Sequence, residues 1–327
     1  MRTFHWAILG LGHIARKFAQ DLRLVPQARL HAVASRSLPK AQAFAAEFGA
    51  AHAVGRYEDL LAVPGLDAVY IATPHSEHHA HTLLCLRAGL PVLCEKAFAR
   101  NALEAQQMIR VAREQRVFLM EAFWTRFFPA IARALDLVGA GVIGEVKHLV
   151  ADFGFAARYD PAGRLFNPAL AGGSLLDIGV YPLFISKLFL GEPAALRAVA
   201  TPAPTGVDVN CAMALAYASG ATASLFSTVA APTNNQCTLY GTKGQLHLTG
   251  RFHAPSGVRV QLLAQPEPQL TAYESPGYGY HYEAAHVQQC LAQGLRESPL
   301  LPLTFSQELM QLLDAVRAQI GLRYPGE

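Results

Sequence analysis

The sequence predicts an α/β protein with two parts: an N-terminal doubly wound parallel sheet, and a C-terminal α+β domain with a large open, mainly antiparallel sheet. Three observations predict it. Phe4-His5-Trp6-Ala7-Ile8-Leu9 is an apolar run that leads straight into Gly10-Leu11-Gly12-His13-Ile14-Ala15, a Gly-x-Gly-x-x-Ala turn heading a helical stretch. Strand-like and helix-like segments then alternate about five times as far as Glu121, the signature of parallel strands joined by crossover helices. Beyond Ala195 the pattern changes to short alternating strands with turns at Ser219-Gly220 and Thr242-Lys243-Gly244, which reads as one antiparallel sheet.

The first strand, turn and helix come in the order of a Rossmann dinucleotide-binding unit. Gly10 allows the sharp turn, Gly12 lets the backbone approach a pyrophosphate, and Ala15 lets the helix lie close to its strand. Amides at the helix start, around His13 and Ile14, would face the phosphates. The same glycine pattern also occurs in purely structural turns, so its place between a strand and a helix carries the assignment.

The second strand, Leu30 to Ser35, ends where NAD-binding proteins carry an acid that accepts from the ribose hydroxyls. Ser35-Arg36-Ser37 stands there instead, with Lys40 close behind. Missing acid and added cations suit a 2′-phosphate, because Arg36 can pair with it bidentately. We expect NADP, with NAD open.

A helix over Ala41 to Phe48 and a strand over Asp67 to Ala72 follow, running into Thr73-Pro74-His75-Ser76-Glu77-His78-His79-Ala80-His81. His75, His78 and His79 lie on one helical face, which invites a metal reading. The stretch holds no cysteine and only one acid, Glu77; we read Thr73, Pro74, His75 and His78 as bordering a cofactor and expect no metal. A helix (Thr82 to Ala88) returns the chain to Val92-Leu93-Cys94-Glu95-Lys96, with Glu95 and Lys96 at a strand's carboxyl end, where ligands bind in such sheets. A lysine there can neutralise a developing alkoxide, although a plain surface ion pair has the same spelling. Ala102 to Arg113 and Val117 to Glu121 supply one more helix and strand.

The alternation then breaks at Phe123-Trp124-Thr125-Arg126-Phe127-Phe128-Pro129, which places a domain boundary near 122 and gives domains 1–122 and 123–327. A helix (Ile131 to Val138) and a strand (Val146 to Phe153) precede Arg164-Leu165-Phe166 and Gly172-Gly173-Ser174-Leu175-Leu176-Asp177-Ile178-Gly179-Val180-Tyr181. On a helix, Asp177 and Tyr181 share a face. Tyr282 to Gln293 and Phe305 to Ile320 read as closing helices.

Composition narrows the function. At 327 residues with 52% hydrophobic and 16% charged content, two buried cores are the default. A net charge of +3 without basic blocks argues against nucleic acid. No run reaches the roughly 18 uncharged apolar residues of a membrane helix, and the N-terminus lacks a signal-peptide pattern. Cys85, Cys94, Cys211, Cys237 and Cys290 never form Cys-x-x-Cys, which fits reduced thiols and a cytoplasmic location.

With the glycine turn, Glu95-Lys96, VFLMEAFWTRFFP and AGGSLLDIGVY in hand, the sequence resembles the glucose–fructose oxidoreductase/inositol dehydrogenase (Gfo/Idh/MocA) family of NAD(P)-dependent oxidoreductases, in its dihydrodiol and D-xylose dehydrogenase branch. The likeness extends to YHYEAAHVQQCLAQGLRESPLLPL near the C-terminus. It implies Lys96 as catalytic lysine, Tyr181 as the proton-transfer tyrosine and Asp177 as the acid one turn before it. Arg36 would be the NADP-phosphate arginine, and His75 and Glu95 would border the nicotinamide ribose. Trp124, Arg164, Phe166 and Tyr181 would meet the substrate, a sugar or cyclic diol. The branch also pairs through its C-terminal sheet, so a homodimer is expected. The family's Glu-Lys-Pro reads Glu95-Lys96-Ala97 here, which leaves the 96–97 bond open between cis and trans.

The chemistry agrees with the likeness: a tyrosine near pKa 10 is a poor base until a cation lowers that value, and Lys96 would supply the cation. Two other readings stand beside a dehydrogenase: a reductase of a carbonyl sugar derivative, and a nucleotide-sensing regulator without turnover.

Overall fold

The computed structural model describes residues 2–327. In chain order its elements are β1 (Phe4–Leu9), α1 (His13–Leu22), β2 (Ala28–Ala34), α2 (Leu38–Phe48), β3 (His52–Val54), β4 (Ala68–Ile71), α3 (His75–Arg87), β5 (Val92–Glu95), α4 (Ala102–Gln115) and β6 (Leu119–Ala122). There follow α5 (Pro129–Gly139), β7 (Val146–Gly154), α6 (Val180–Leu190), β8 (Ala195–Pro202), β9 (Asp208–Ala216), β10 (Thr222–Thr228), β11 (Cys237–Gly241), β12 (Gly244–Arg251), β13 (Ala254–Leu262), β14 (Gln269–Ala272), α7 (Tyr280–Ala292) and α8 (Leu303–Ile320).

The chain divides into two compact units, residues 1–127 with 276–308, and residues 128–275 with 309–327. A single cut near residue 122 follows from the break in strand–helix alternation, but alternation is blind to a segment that comes back. Residues 276–308 return to the first unit: α7 packs on α1, and the Leu119 N–H donates to the Arg296 carbonyl at 3.1 Å.

The first unit holds a six-stranded parallel sheet in the order β3-β2-β1-β4-β5-β6. β4, β5 and β6 are buried along their whole length. Strands covered on both faces spell continuous apolar runs rather than alternation, which is why these segments were readable. Three residues of β3 were not, since so short a strand has no period to detect. α1 begins at His13, directly after Gly12, whose backbone is still extended and which therefore stands as the residue before the first helical turn. α3 starts at His75 rather than Thr82; Pro74 fixes its entry and its histidines lie inside it.

The second unit holds an eight-stranded sheet, β14-β13-β12-β11-β7-β10-β9-β8. β7 and β10 run parallel, while the other neighbours are antiparallel. α5 and α6 pack against this sheet. Its other face carries Val150, Val199 and Phe226 along an open groove, with Val199 72% exposed. The stretch Pro168–Leu190 is apolar enough by composition to cross a membrane, with mean hydropathy 1.4, but 89% of it is buried inside the protein; it is the core of this unit.

Candidate active site

β1 and β4 are neighbours, and the strand order reverses between them, the place where open α/β sheets bind ligands. Gly10 turns the chain there with φ of 93°. A Cβ on Gly10 would lie 2.7 Å from Thr73 Cγ2 and 2.9 Å from the Ala72 carbonyl, so the loops after β1 and β4 meet with no room for a side chain. Gly12 is different: a Cβ would meet nothing within 4 Å. It stands exposed at the start of α1, where no side chain among the described residues caps the helix. The first N–H groups of a helix have no partner within it, and an uncapped end beside an open glycine fits a dinucleotide pyrophosphate.

Ser35 is buried at the end of β2, and its Oγ accepts the Ser37 N–H at 3.3 Å. Arg36 and Lys40 are exposed. The Arg36 guanidinium reaches the hydroxyl of Tyr57, an aromatic neighbour that the sequence pattern did not mark.

His75 and His78 sit edge to face on the first turn of α3. His78 is fully enclosed, with its ring nitrogens 2.9 Å from the Ala97 and Thr73 carbonyls. Burial pushes its imidazole down to about 4, so the neutral ring donates to one of them. His78 thereby ties the loop after β4 to the loop after β5, and any part it plays toward a cofactor runs through that tie. Thr73 Oγ1 lies 3.1 Å from Nδ1 of His81.

Glu95 closes β5 and is buried. It accepts from the Tyr70 hydroxyl, and its Oε2 accepts the Lys96 backbone N–H at 3.2 Å. The Lys96–Ala97 bond is cis, which answers the question that Ala97 raised. Beneath this turn lies Glu283 of α7, fully buried. Burial first, and then the nearby carboxyls of Glu95 and Asp21, hold it well above the carboxylate range, so it stands as a neutral acid. Trp124 is 92% buried, being 8% exposed, and stacks on Tyr280 with centroids 4.4 Å apart.

In the second unit, Leu175–Gly179 forms a π turn that runs into α6. Such bulges recur at functional sites because they re-aim side chains. Asp177 lies in this turn and takes Arg164 in a two-pronged ion pair, Nη1 to Oδ1 at 2.6 Å and Nη2 to Oδ2 at 3.3 Å. Tyr181, on the first turn of α6, is buried between Phe153 and His253, with centroids 5.4 and 5.5 Å away. His253 itself stacks on Phe153 at 4.0 Å. It stands in the turn between β12 and β13, where a lone histidine gives no sequence signal. Phe166 is buried, with Tyr159 edge-on at 5.0 Å.

The first unit thus gathers Gly10, Gly12, His13, Ile14, Thr73, Pro74, His75, His78, Glu95 and Lys96 around the ends of β1, β4 and β5. The second gathers Arg164, Asp177 and Tyr181 around the π turn, with Phe166 buried two residues beyond Arg164.

Comparison with known proteins bears on both units. Residues 4–123 match the model of the oxidoreductase family with an NAD-binding Rossmann fold, and residues 131–247 match the GFO/IDH/MocA C-terminal domain. The chain is 37% identical to the trans-1,2-dihydrobenzene-1,2-diol dehydrogenase of Bos taurus, covering 99% of this chain and 98% of that one. The Homo sapiens protein of the same name is 36% identical over the same shares. Among solved structures, the 3-ketoreductase KijD10 of Actinomadura kijaniata, in complex with NADP and TDP-benzene, superposes with a TM-score of 0.86 at 29% identity, over 98% of each chain. The aldose-aldose oxidoreductase of Caulobacter crescentus, complexed with glycerol, gives 0.88 at 28% identity, over 97% of each.

Proposed function

The chain belongs to the Gfo/Idh/MocA family of NAD(P)-dependent oxidoreductases, and from that premise we propose that it is an NADP-dependent dehydrogenase of a sugar or cyclic diol. The observation that carries the reading lies within one unit: an uncapped glycine turn at the switch point, with a lysine at the carboxyl end of β5. Gly10, Gly12, His13 and Ile14 would hold the pyrophosphate, and Arg36 and Lys40 the 2′-phosphate. When bound, NADP supplies the hydride acceptor.

The chain's own residues handle the proton. Tyr181 takes it from the substrate hydroxyl as general base, and Lys96, at the carboxyl end of β5, is the lysine that neutralises developing negative charge. Asp177 holds Arg164 and presents oxygens to substrate hydroxyls. Glu95 fixes the backbone that carries Lys96.

The likeness to a 3-ketoreductase supports a second reading, in which the same residues run the reaction toward reduction of a carbonyl sugar derivative, with Tyr181 giving the proton back. The test is a screen of aldoses, inositols and cyclic diols with NADP⁺ and NAD⁺, and of keto sugars with NADPH. Absence of turnover in both directions would return the chain to the nucleotide-sensing reading.

The apolar open face of the eight-stranded sheet supports a homodimer built on it. Five buried cysteines, all free of disulfides, support a reducing, cytoplasmic location.

A further inference from the structure

The Arg164–Asp177 pair has a consequence for which substrates are accepted. Arginine's planar fork is the usual reader of carboxylate and phosphate groups, because two parallel N–H bonds fit two oxygens. Here the chain supplies its own carboxylate. Asp177 takes both Nη1 and Nη2 of Arg164; its side chain is 9% exposed while that of Arg164 is 48% exposed.

The backbone behind the pair is fixed on both sides. The Gly173 N–H donates to the Leu165 carbonyl at 2.8 Å. A Cβ on Gly172 would lie 2.7 Å from the carbonyl oxygens of both Arg164 and Leu165. The Tyr324 hydroxyl donates to the Gly172 carbonyl at 2.7 Å. The loop carrying Arg164 and the turn leading to Asp177 are therefore packed backbone to backbone, and the fork is held against its internal anion instead of swinging free.

We propose that Asp177 determines specificity by occupying the fork of Arg164, so that the pair acts as a charge filter admitting uncharged polyols and rejecting acidic ones. An incoming carboxylate or phosphate has to displace an anion that is covalently in place, and it meets the charge of Asp177 as it does so. A neutral polyol needs no such exchange, because it brings no charge to set against that of Asp177. The inference rests on the reading that these two residues face the substrate.

The test compares D-glucose with D-glucuronate, which differ by one carboxylate, using the full chain with NADP⁺. Wild type should favour the neutral sugar. Asp177→Asn frees the fork and should shift the kcat/KM ratio toward glucuronate by about tenfold or more, the worth of a charge-assisted hydrogen bond. Asp177→Glu should keep the wild-type ratio. The double variant Asp177→Asn/Arg164→Met should lose the gain, because the gain runs through the guanidinium. An equal ratio in wild type and Asp177→Asn overturns the filter, as does a gain that survives loss of Arg164. If Asp177→Asn turns over too slowly, calorimetric binding of D-gluconate against D-glucitol to the NADPH-loaded protein reads the same ratio, and binding of neither compound also overturns it. A wild type that oxidises no sugar at all refutes the dehydrogenase reading separately, since the binding ratio is measured without turnover.

Discussion

The Asp21 carboxylate accepts the backbone N–H of Tyr280 at 2.8 Å, across 259 residues of chain. It also accepts from Gly279 at 2.7 Å and Tyr278 at 2.9 Å, so one buried acid at the end of α1 caps the start of α7. The pair joins the helix that follows the glycine turn to the segment that stacks Tyr280 on Trp124. Asp21→Ala would leave three N–H groups near the interior without an acceptor and should cost about 2–3 kcal/mol. Asp21→Asn, which keeps an acceptor, should cost less. Urea unfolding midpoints measure both, and an unchanged midpoint for Asp21→Ala would show that the cap is dispensable.

Arg36 stands exposed at the end of β2, next to the Tyr57 hydroxyl. Arg36→Asp should raise the KM for NADP⁺ by about tenfold or more, the worth of one charge-assisted contact, and improve the use of NAD⁺. A wild type that already prefers NAD⁺ would refute this reading of the loop.

Tyr181→Phe removes the proposed proton acceptor and keeps the ring. Turnover should fall by about 10²-fold or more, the usual worth of general base catalysis, while cofactor binding persists. Lys96→Met should also lower turnover by about 10²-fold, since it removes the cation at the carboxyl end of β5. Lys96→Arg is the sharper probe: its pH–rate profile should move, and an unmoved profile leaves Tyr181 to act alone.

Burial pushes the carboxyl of Glu121 up to about 7 from 4.5, and that of Asp208 up to about 6 from 3.8. The folded protein therefore holds protons that the unfolded chain releases. Stability from these two groups is complete below their unfolded values and is lost as pH rises through 6 to 7. Glu121→Gln mimics the protonated form, so its stability relative to wild type should grow between pH 5 and pH 8, by roughly 3 kcal/mol at most. Thermal melts of the two proteins across that range decide it; a constant difference means that Glu121 ionises in the folded state as it does in the unfolded one.

Val199, on the open face of the eight-stranded sheet, is the most exposed large apolar residue of its groove. Sedimentation velocity at micromolar concentration should show a dimer for wild type. Val199→Asp, which places a charge on the apolar face, should give a monomer.

How much of this was legible in the sequence follows the range of the forces involved. The turn from Gly10 to Ala15, the buried strands β1, β4, β5 and β6, the position of Arg36 and the pair Glu95-Lys96 were all readable, since each is fixed by near neighbours or by a period of hydrophobicity. The three-residue β3 was lost because it is too short to show a period, and the early start of α3 because its inward face is built from histidines, His75 and His78, instead of apolar residues.

What the sequence by itself determined is the fold class and the order of its longer elements, together with the candidates for chemistry. Only the tertiary structure decided their company: that β7 runs parallel to β10, that residues 276–308 belong with the first unit, that Asp21 caps α7, that His78 bridges Thr73 to Ala97, and that Asp177 closes the fork of Arg164. Each of these is a contact that no period of hydrophobicity records. Such contacts depend on hydrogen bonds and charges that only burial brings together, and burial is a property of the folded whole rather than of any window of residues.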